Sequence, residues 1–165
     1  MAISQINNNS LASGVPGYAN LPAGCVLQVV NAQTSTQTSN STSTYADTNL
    51  TATITPKFAT SKILVLVDIN GVYKSTSNTA ATTRLVRGST TLILMDDIAG
   101  YTANTNTIGV GAVSANYLDS PSTTSATTYK VQFASDGNTG AVYVQNWFNV
   151  SSGSTSTITL MEIAG

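Results

Sequence analysis

Asp47, Asp68, Asp96, Asp97, Asp119, Asp136 and Glu162 are the only carboxylate side chains in this sequence, and no histidine accompanies them. Without an imidazole, Ser-His-Asp and Cys-His nucleophilic catalysis are excluded, together with the commonest general base and most zinc sites. Hydrolysis of a glycosidic bond would need two carboxylates facing each other across one cleft. The only adjacent pair, Asp96 and Asp97, would face opposite ways on a strand and could not cooperate. The acids read instead as solvated strand ends, and the chain as a non-enzyme without a cofactor. Asp119 and Asp136 lack the ligand density of a calcium loop, so no metal is expected. Cys25 stands alone, which excludes an intrachain bridge and suits a small hydrophobe at the start of a strand.

The elements that could position any site must be strands. Thr, Ser and Asn supply 62 of the 165 residues and charged residues only 8%, against a typical ~25%. Thr is at home on a pleated surface, whereas strong helix formers such as Glu and Lys are scarce. Hydrophobic residues make up 41% and fall into periodic runs, which argues against disorder. The net charge is −1 with the charges scattered singly. No basic stripe is available for phosphate backbones, so no nucleic-acid partner is expected. No apolar run reaches the ~20 residues of a membrane span. The N-terminus has neither the basic nor the apolar region of a secretory signal, so the product is expected to be made, and at first kept, in a cytoplasm. The length fits one domain, large enough to bury a core without disulfides or metal.

The organising stretch is residues 61–73, SKILVLVDINGVY. Ile63, Val65, Val67 and Ile69 would face one way and Leu64 and Leu66 the other. A strand with one wet face alternates apolar and polar residues, so this one asks for cover on both faces. One face suits the middle of a β-sandwich. The other is expected to be covered by a second copy of the chain or by the chain's own loops. The Asn70-Gly71 pair reads as a turn or bulge closing the run.

Residues 1–24 are rich in loop formers, with Ile3, Ile6, Leu11, Val15, Tyr18 and Leu21 as apolar anchors. They read as an extended arm, a tether or a strand-exchanging segment, or else as a loose terminus. Residues 25–165 read as the sandwich domain. Its first strand spans residues 25–32, and the Ser/Thr-rich residues 33–44 form an exposed edge strand or loop. Leu50, Ala52 and Ile54 alternate with threonines up to Pro56. A polar loop follows at residues 74–79, then a hairpin about Gly88-Ser89. Residues 98–107 read as a long polar loop carrying Tyr101. Gly109 and Gly111 mark a bulge in the strand of residues 108–118. Tyr129, Val131 and Phe133 alternate, residues 136–140 turn the chain, and strands at 141–150 and 155–163 complete the set. Eight to ten short strands and no helix predict an all-β, jelly-roll-like two-sheet sandwich.

Tyr101, with Asn104 and Asn106, is the best candidate for an exposed contact with a sugar or protein, because a rigid aromatic beside adaptable amides suits such surfaces. Tyr129, Phe133 and Phe148 are expected in the core, while Trp147 would need a partner for its indole N–H if buried. The Asn-x-Ser/Thr triplets are what this composition produces by chance, and the alternate-threonine runs, which lack the fixed repeat of an ice-binding face, read as solvated strand faces.

Three phrases also carry a resemblance: residues 61–67 (SKILVLV), 117–132 (YLDSPSTTSATTYKVQ) and 156–163 (STITLMEI), with the lead-in 21–30 (LPAGCVLQVV). Together they resemble a module of tailed-bacteriophage virion proteins, of the kind common in phages of marine and cyanobacterial hosts. The resemblance implies a homotrimeric sandwich similar to the C1q and tumour-necrosis-factor fold, displayed on the virion surface. Its inner strands would meet near a threefold axis, with Leu64, Leu66, Leu160 and Ile163 packed there. The absence of a long shaft favours a stand-alone knob, head fibre or capsid decoration, held to other virion proteins by Ile3, Ile6, Leu11 and Tyr18. A receptor-binding tail-fibre tip, recognising a host surface glycan through Tyr101, Asn104 and Asn106, is the alternative.

Overall fold

The computed structural model describes residues 21–137, 140–146 and 153–165. Ten strands occupy them and no helix: β1 (Val26–Thr34), β2 (Thr38–Asn40), β3 (Ala46–Ile54), β4 (Lys62–Lys74), β5 (Thr79–Arg87), β6 (Thr90–Thr102), β7 (Ile108–Asp119), β8 (Thr127–Gly137), β9 (Val142–Val144) and β10 (Ser156–Ile163). They form two antiparallel sheets packed as a jelly-roll-like sandwich, the all-β architecture that the strand periodicity predicts. One sheet orders its strands β3-β8-β5-β6. In the other, β4 is the spine. β7 pairs along one of its edges, while β10 and then β9 pair along the other. β1 flanks β10 and β2 flanks β9.

The alternation read in β4 holds. Ile63, Val65, Val67 and Ile69 are buried in the core between the sheets, Leu64 is half-buried and Leu66 is exposed on the other face. From β3, β5 and β8 the facing layer supplies Leu50, Ala52, Ile54, Leu85, Tyr129, Val131 and Phe133. Tyr129 and Phe133 are fully buried, as expected, whereas Trp147 and Phe148 lie outside the described residues.

Several expectations need correction. Of the two readings of Asn70-Gly71, turn or bulge, the bulge is met, but it does not end the strand. Gly71, at φ 64°, makes a bulge, and β4 runs on to Lys74. A Cβ on Gly71 would stand 2.2 Å from the carbonyl oxygen of Asn146, so only glycine lets these backbones approach so closely. The stretch read as a long polar loop is mostly strand. β6 continues through Tyr101 to Thr102, and only residues 103–107 are loop. Its polar residues and the irregular β5–β6 register hid the strand period. Lys74, read as the start of a loop, is instead buried at the end of β4.

Two acids read as solvated are buried. Asp119 accepts hydrogen bonds from Arg87 Nη1 at 2.6 Å and Tyr129 Oη at 2.6 Å, tying the end of β7 to the opposite sheet. Glu162 is fully buried and accepts from the backbone N–H of Lys57 at 2.6 Å and from Gln28 Nε2 at 2.5 Å. Each satisfies donors that burial would otherwise leave unpaired, which is why a carboxylate is tolerated there.

Candidate functional site

The two outer faces of the sandwich differ in kind. On the β3-β8-β5-β6 sheet the outward side chains satisfy one another. Arg84 donates to Gln132 Oε1, Gln132 Nε2 and Lys130 Nζ donate to Asp47, and Tyr45 lies 3.8 Å from the Arg84 guanidinium. The middle of that face is polar and closed upon itself, while at its β6 edge Leu94 and Ile98 are exposed.

The outer face of the β4 sheet is not closed in this way. Cross-strand register places Val29 of β1 opposite Met161 of β10, Met161 opposite Leu64 of β4, and Leu64 opposite Leu118 of β7. One apolar stripe therefore crosses all four strands at right angles to them. Val29 at its β1 end is 54% exposed and Leu118 at its β7 end is 50% exposed. Val26 and Ile163 flank it on one side. On its other side Leu66, 38% exposed, sits among Asn31, Thr159 and Asn116. Next comes Asp68, which accepts from Ser114 Oγ at 2.6 Å and from Asn70 Nδ2 at 3.0 Å. An exposed apolar patch rimmed by polar groups marks an interaction surface.

Of the residues singled out for packing about an axis, Leu64, Leu66 and Ile163 point outward onto this face. Leu160 does not: it pairs with Val65 and is fully buried between the sheets, because β10 alternates in phase with β4. It is a core residue. Val29, Met161 and Leu118 join the face without having been anticipated. Their signal was present in β10, where Leu160 and Met161 stand side by side and so demand cover on both faces. Ile3, Ile6, Leu11 and Tyr18 lie outside the described residues.

Tyr101 occupies one end of the sandwich, 51% exposed, and its hydroxyl donates to Asn78 Oδ1 at 3.2 Å. Beneath it, the buried Lys74 ammonium donates to the Thr102 carbonyl at 3.2 Å and to Thr102 Oγ1 at 2.5 Å, and lies 6.0 Å from the Tyr101 ring centroid. Burial pulls the Lys74 pKa below the usual lysine range. Asn104 and Asn106 are exposed in the neighbouring loop. The three predicted contact residues thus share one end, with Tyr101 fixed by strand pairing and the asparagines on the loop. Among the described residues no group of three or more Cys, Asp or Glu is placed to hold a metal ion.

No family model matches this chain, and no curated protein matches it. Among solved structures, it is similar to the crystal structure of infectious bursal disease virus VP2 subviral particle, at a TM-score of 0.44 and 14% identity. The alignment covers 92% of this chain and 45% of that one, so the chain spans less than half of the VP2 length. Likeness at that level assigns no function.

Proposed function

We propose that this chain is a self-assembling structural protein of a bacteriophage virion surface: a homotrimeric knob, head fibre or capsid decoration held to the particle by residues 1–24. The observation that carries the reading is the apolar stripe Val29–Met161–Leu64–Leu118. Because it crosses the strands, rotation about an axis parallel to them brings stripe against stripe at one height, as a cyclic assembly requires. Completing the burial of four half-exposed side chains contributes roughly 3–6 kcal/mol per copy. That is comparable with the lower end of the ~4–15 kcal/mol cost of association, so the stripe can drive assembly only with further contacts around it. The three phrases resembling phage virion modules support the reading, since they fall on β4, on the β7–β8 connection with its flanking strands, and on β10.

Sedimentation equilibrium at micromolar concentration is expected to give three times the 17.0 kDa chain mass. Joint replacement Leu64→Asn and Leu118→Asn should yield folded monomers with an unchanged circular dichroism spectrum. A wild-type monomer would refute the assembly reading. Removing residues 1–20 should leave trimers that no longer join particles, and normal incorporation of the shortened chain would refute the anchoring role.

A second reading, recognition of a host surface glycan, draws on Tyr101, whose ring is exposed and whose hydroxyl is held by Asn78. Under it, Tyr101→Ala abolishes adsorption to host cells while sedimentation still reports the assembled form. Undiminished adsorption would dismiss it.

A further inference from the structure

Resting on the self-assembly reading, we propose that a second copy joins by strand addition, with the β7 edge of one chain pairing to the β1 edge of the next so that sheet and stripe both continue across the junction. Four observations point there. First, β1, β10, β4 and β7 are successively antiparallel, so β1 and β7 run in opposite directions and a β7-to-β1 junction preserves the alternation. Second, the two edges carry almost no charge. β1 has no charged residue and β7 has one, Asp119 at its last position, already paired to Arg87. Neither contains proline, and among the described residues β7 pairs with β4 alone and β1 with β10 alone.

Third, the edges of the other sheet show what guarding looks like here. β6 carries Asp96 and Asp97 and four register irregularities against β5, while β3 carries Asp47 and a bulge at Asn49. Charges and bulges of this kind keep sheet edges from pairing with other chains. β1 and β7 have their irregularities only near one end, at Val26–Gln28 and about Gly109–Gly111, so Gln28–Thr34 and Ala112–Asp119 remain regular and, with Asp119 as their single charge, offer a heterologous junction without like-charge repulsion. Fourth, the stripe is most open at its two ends, Val29 and Leu118, which are the residues such a junction would bring together. A strand edge of about eight residues at ~3.4 Å each, one ~10 Å layer deep, offers on the order of 250–300 Å² per partner, about a third of the ~800 Å² of a standard interface, so the stripe must supply further contact. Closure into a ring needs a stagger at each junction, and stagger in steps of two residues keeps the stripe on one face.

Hydrogen–deuterium exchange on the full-length chain, read alongside its sedimentation mass, tests this. In the assembled protein the β7 amides directed away from β4, and their β1 counterparts directed away from β10, are expected to exchange as slowly as those of β4. Dilution to monomer should release them by at least a hundredfold. Fast exchange at both edges in an assembled protein would overturn strand addition while leaving self-assembly standing; a monomer would overturn both. As an independent measurement in a Cys25→Ser background, Leu118→Cys combined with either Val29→Cys or Asn31→Cys should give covalent multimers on oxidation. Each single variant should stay monomeric on a denaturing gel. Disulfide dimers from Leu118→Cys alone would mean like meets like, which also overturns the proposal.

Discussion

Replacing Asp119 by Ala is expected to destabilise the fold by about 2–4 kcal/mol, which for a chain of this size lowers Tm by roughly 5–15 °C. The carboxylate stands at the end of β7, in one sheet, while both its donors, Arg87 and Tyr129, belong to the other. Removing it leaves the fully buried Tyr129 hydroxyl with no acceptor and the guanidinium with no counter-charge. The phenol loss weighs more, since the Arg87 side chain is 29% exposed and can regain water. Asp119→Asn keeps an acceptor for one donor and should lose about half as much. Urea denaturation measures both; equal losses for Ala and Asn would show that packing, not the hydrogen bonds, dominates.

The same site sets an alkaline limit. Burial, and after it the hydrogen bond and charge of Asp119, raise the Tyr129 phenol above its ordinary pKa. In the unfolded chain tyrosine ionises near pH 10. Above that value the unfolded state has released a proton the folded state still holds, so stability falls as pH rises and is fully present only below ~10. Tyr129→Phe should flatten this decline between pH 9 and 11.5. It should not abolish it, because burial also raises Tyr73. An unchanged slope in the variant would refute the assignment.

The second large loss is expected for Glu162→Ala, about 2–3 kcal/mol. Glu162 Oε1 accepts from the backbone N–H of Lys57 at 2.6 Å and of Phe58 at 3.4 Å, and Oε2 accepts from Gln28 Nε2. Gln28 Nε2 also donates to the Thr55 carbonyl at 2.7 Å, so one carboxylate gathers β1, β10 and the β3–β4 connection. Alanine would leave two backbone donors and an amide facing a void. Glu162→Gln should recover roughly half the loss, since one oxygen can still accept from the loop. The accompanying signature is faster amide exchange confined to residues 56–61; acceleration spread evenly over the chain would show a general loss of stability instead and refute the local role.

What the sequence displayed was parity. Val65 inward and Leu66 outward, Leu50–Ala52–Ile54 inward, and Tyr129–Val131–Phe133 inward all follow from the two-residue period of a strand, and each is met. It could not display partners far along the chain. Glu162 looks like a wet strand end until Gln28, 134 residues earlier, is beside it. Asp119 looks solvated until Arg87 arrives from the facing sheet. Leu64 was visible as a residue needing cover, but the stripe was not, because Val29, Met161 and Leu118 become neighbours only through registers set by three separate pairings. Tyr101 was placed at the surface correctly, but on the wrong kind of element, because threonine and asparagine in β6 imitate a loop.

The position of β10 has a temporal consequence. It lies between β1 and β4, bonded on both sides, yet it is the last strand described along the chain. During synthesis, β1 has no companion and β4 an open flank until Ser156–Ile163 leaves the ribosome. A polypeptide halted before that segment therefore lacks the middle of its sheet together with Met161, one link of the stripe. Products that stop before Ser156 should neither close the sheet nor present the whole stripe, and the two properties should be acquired together.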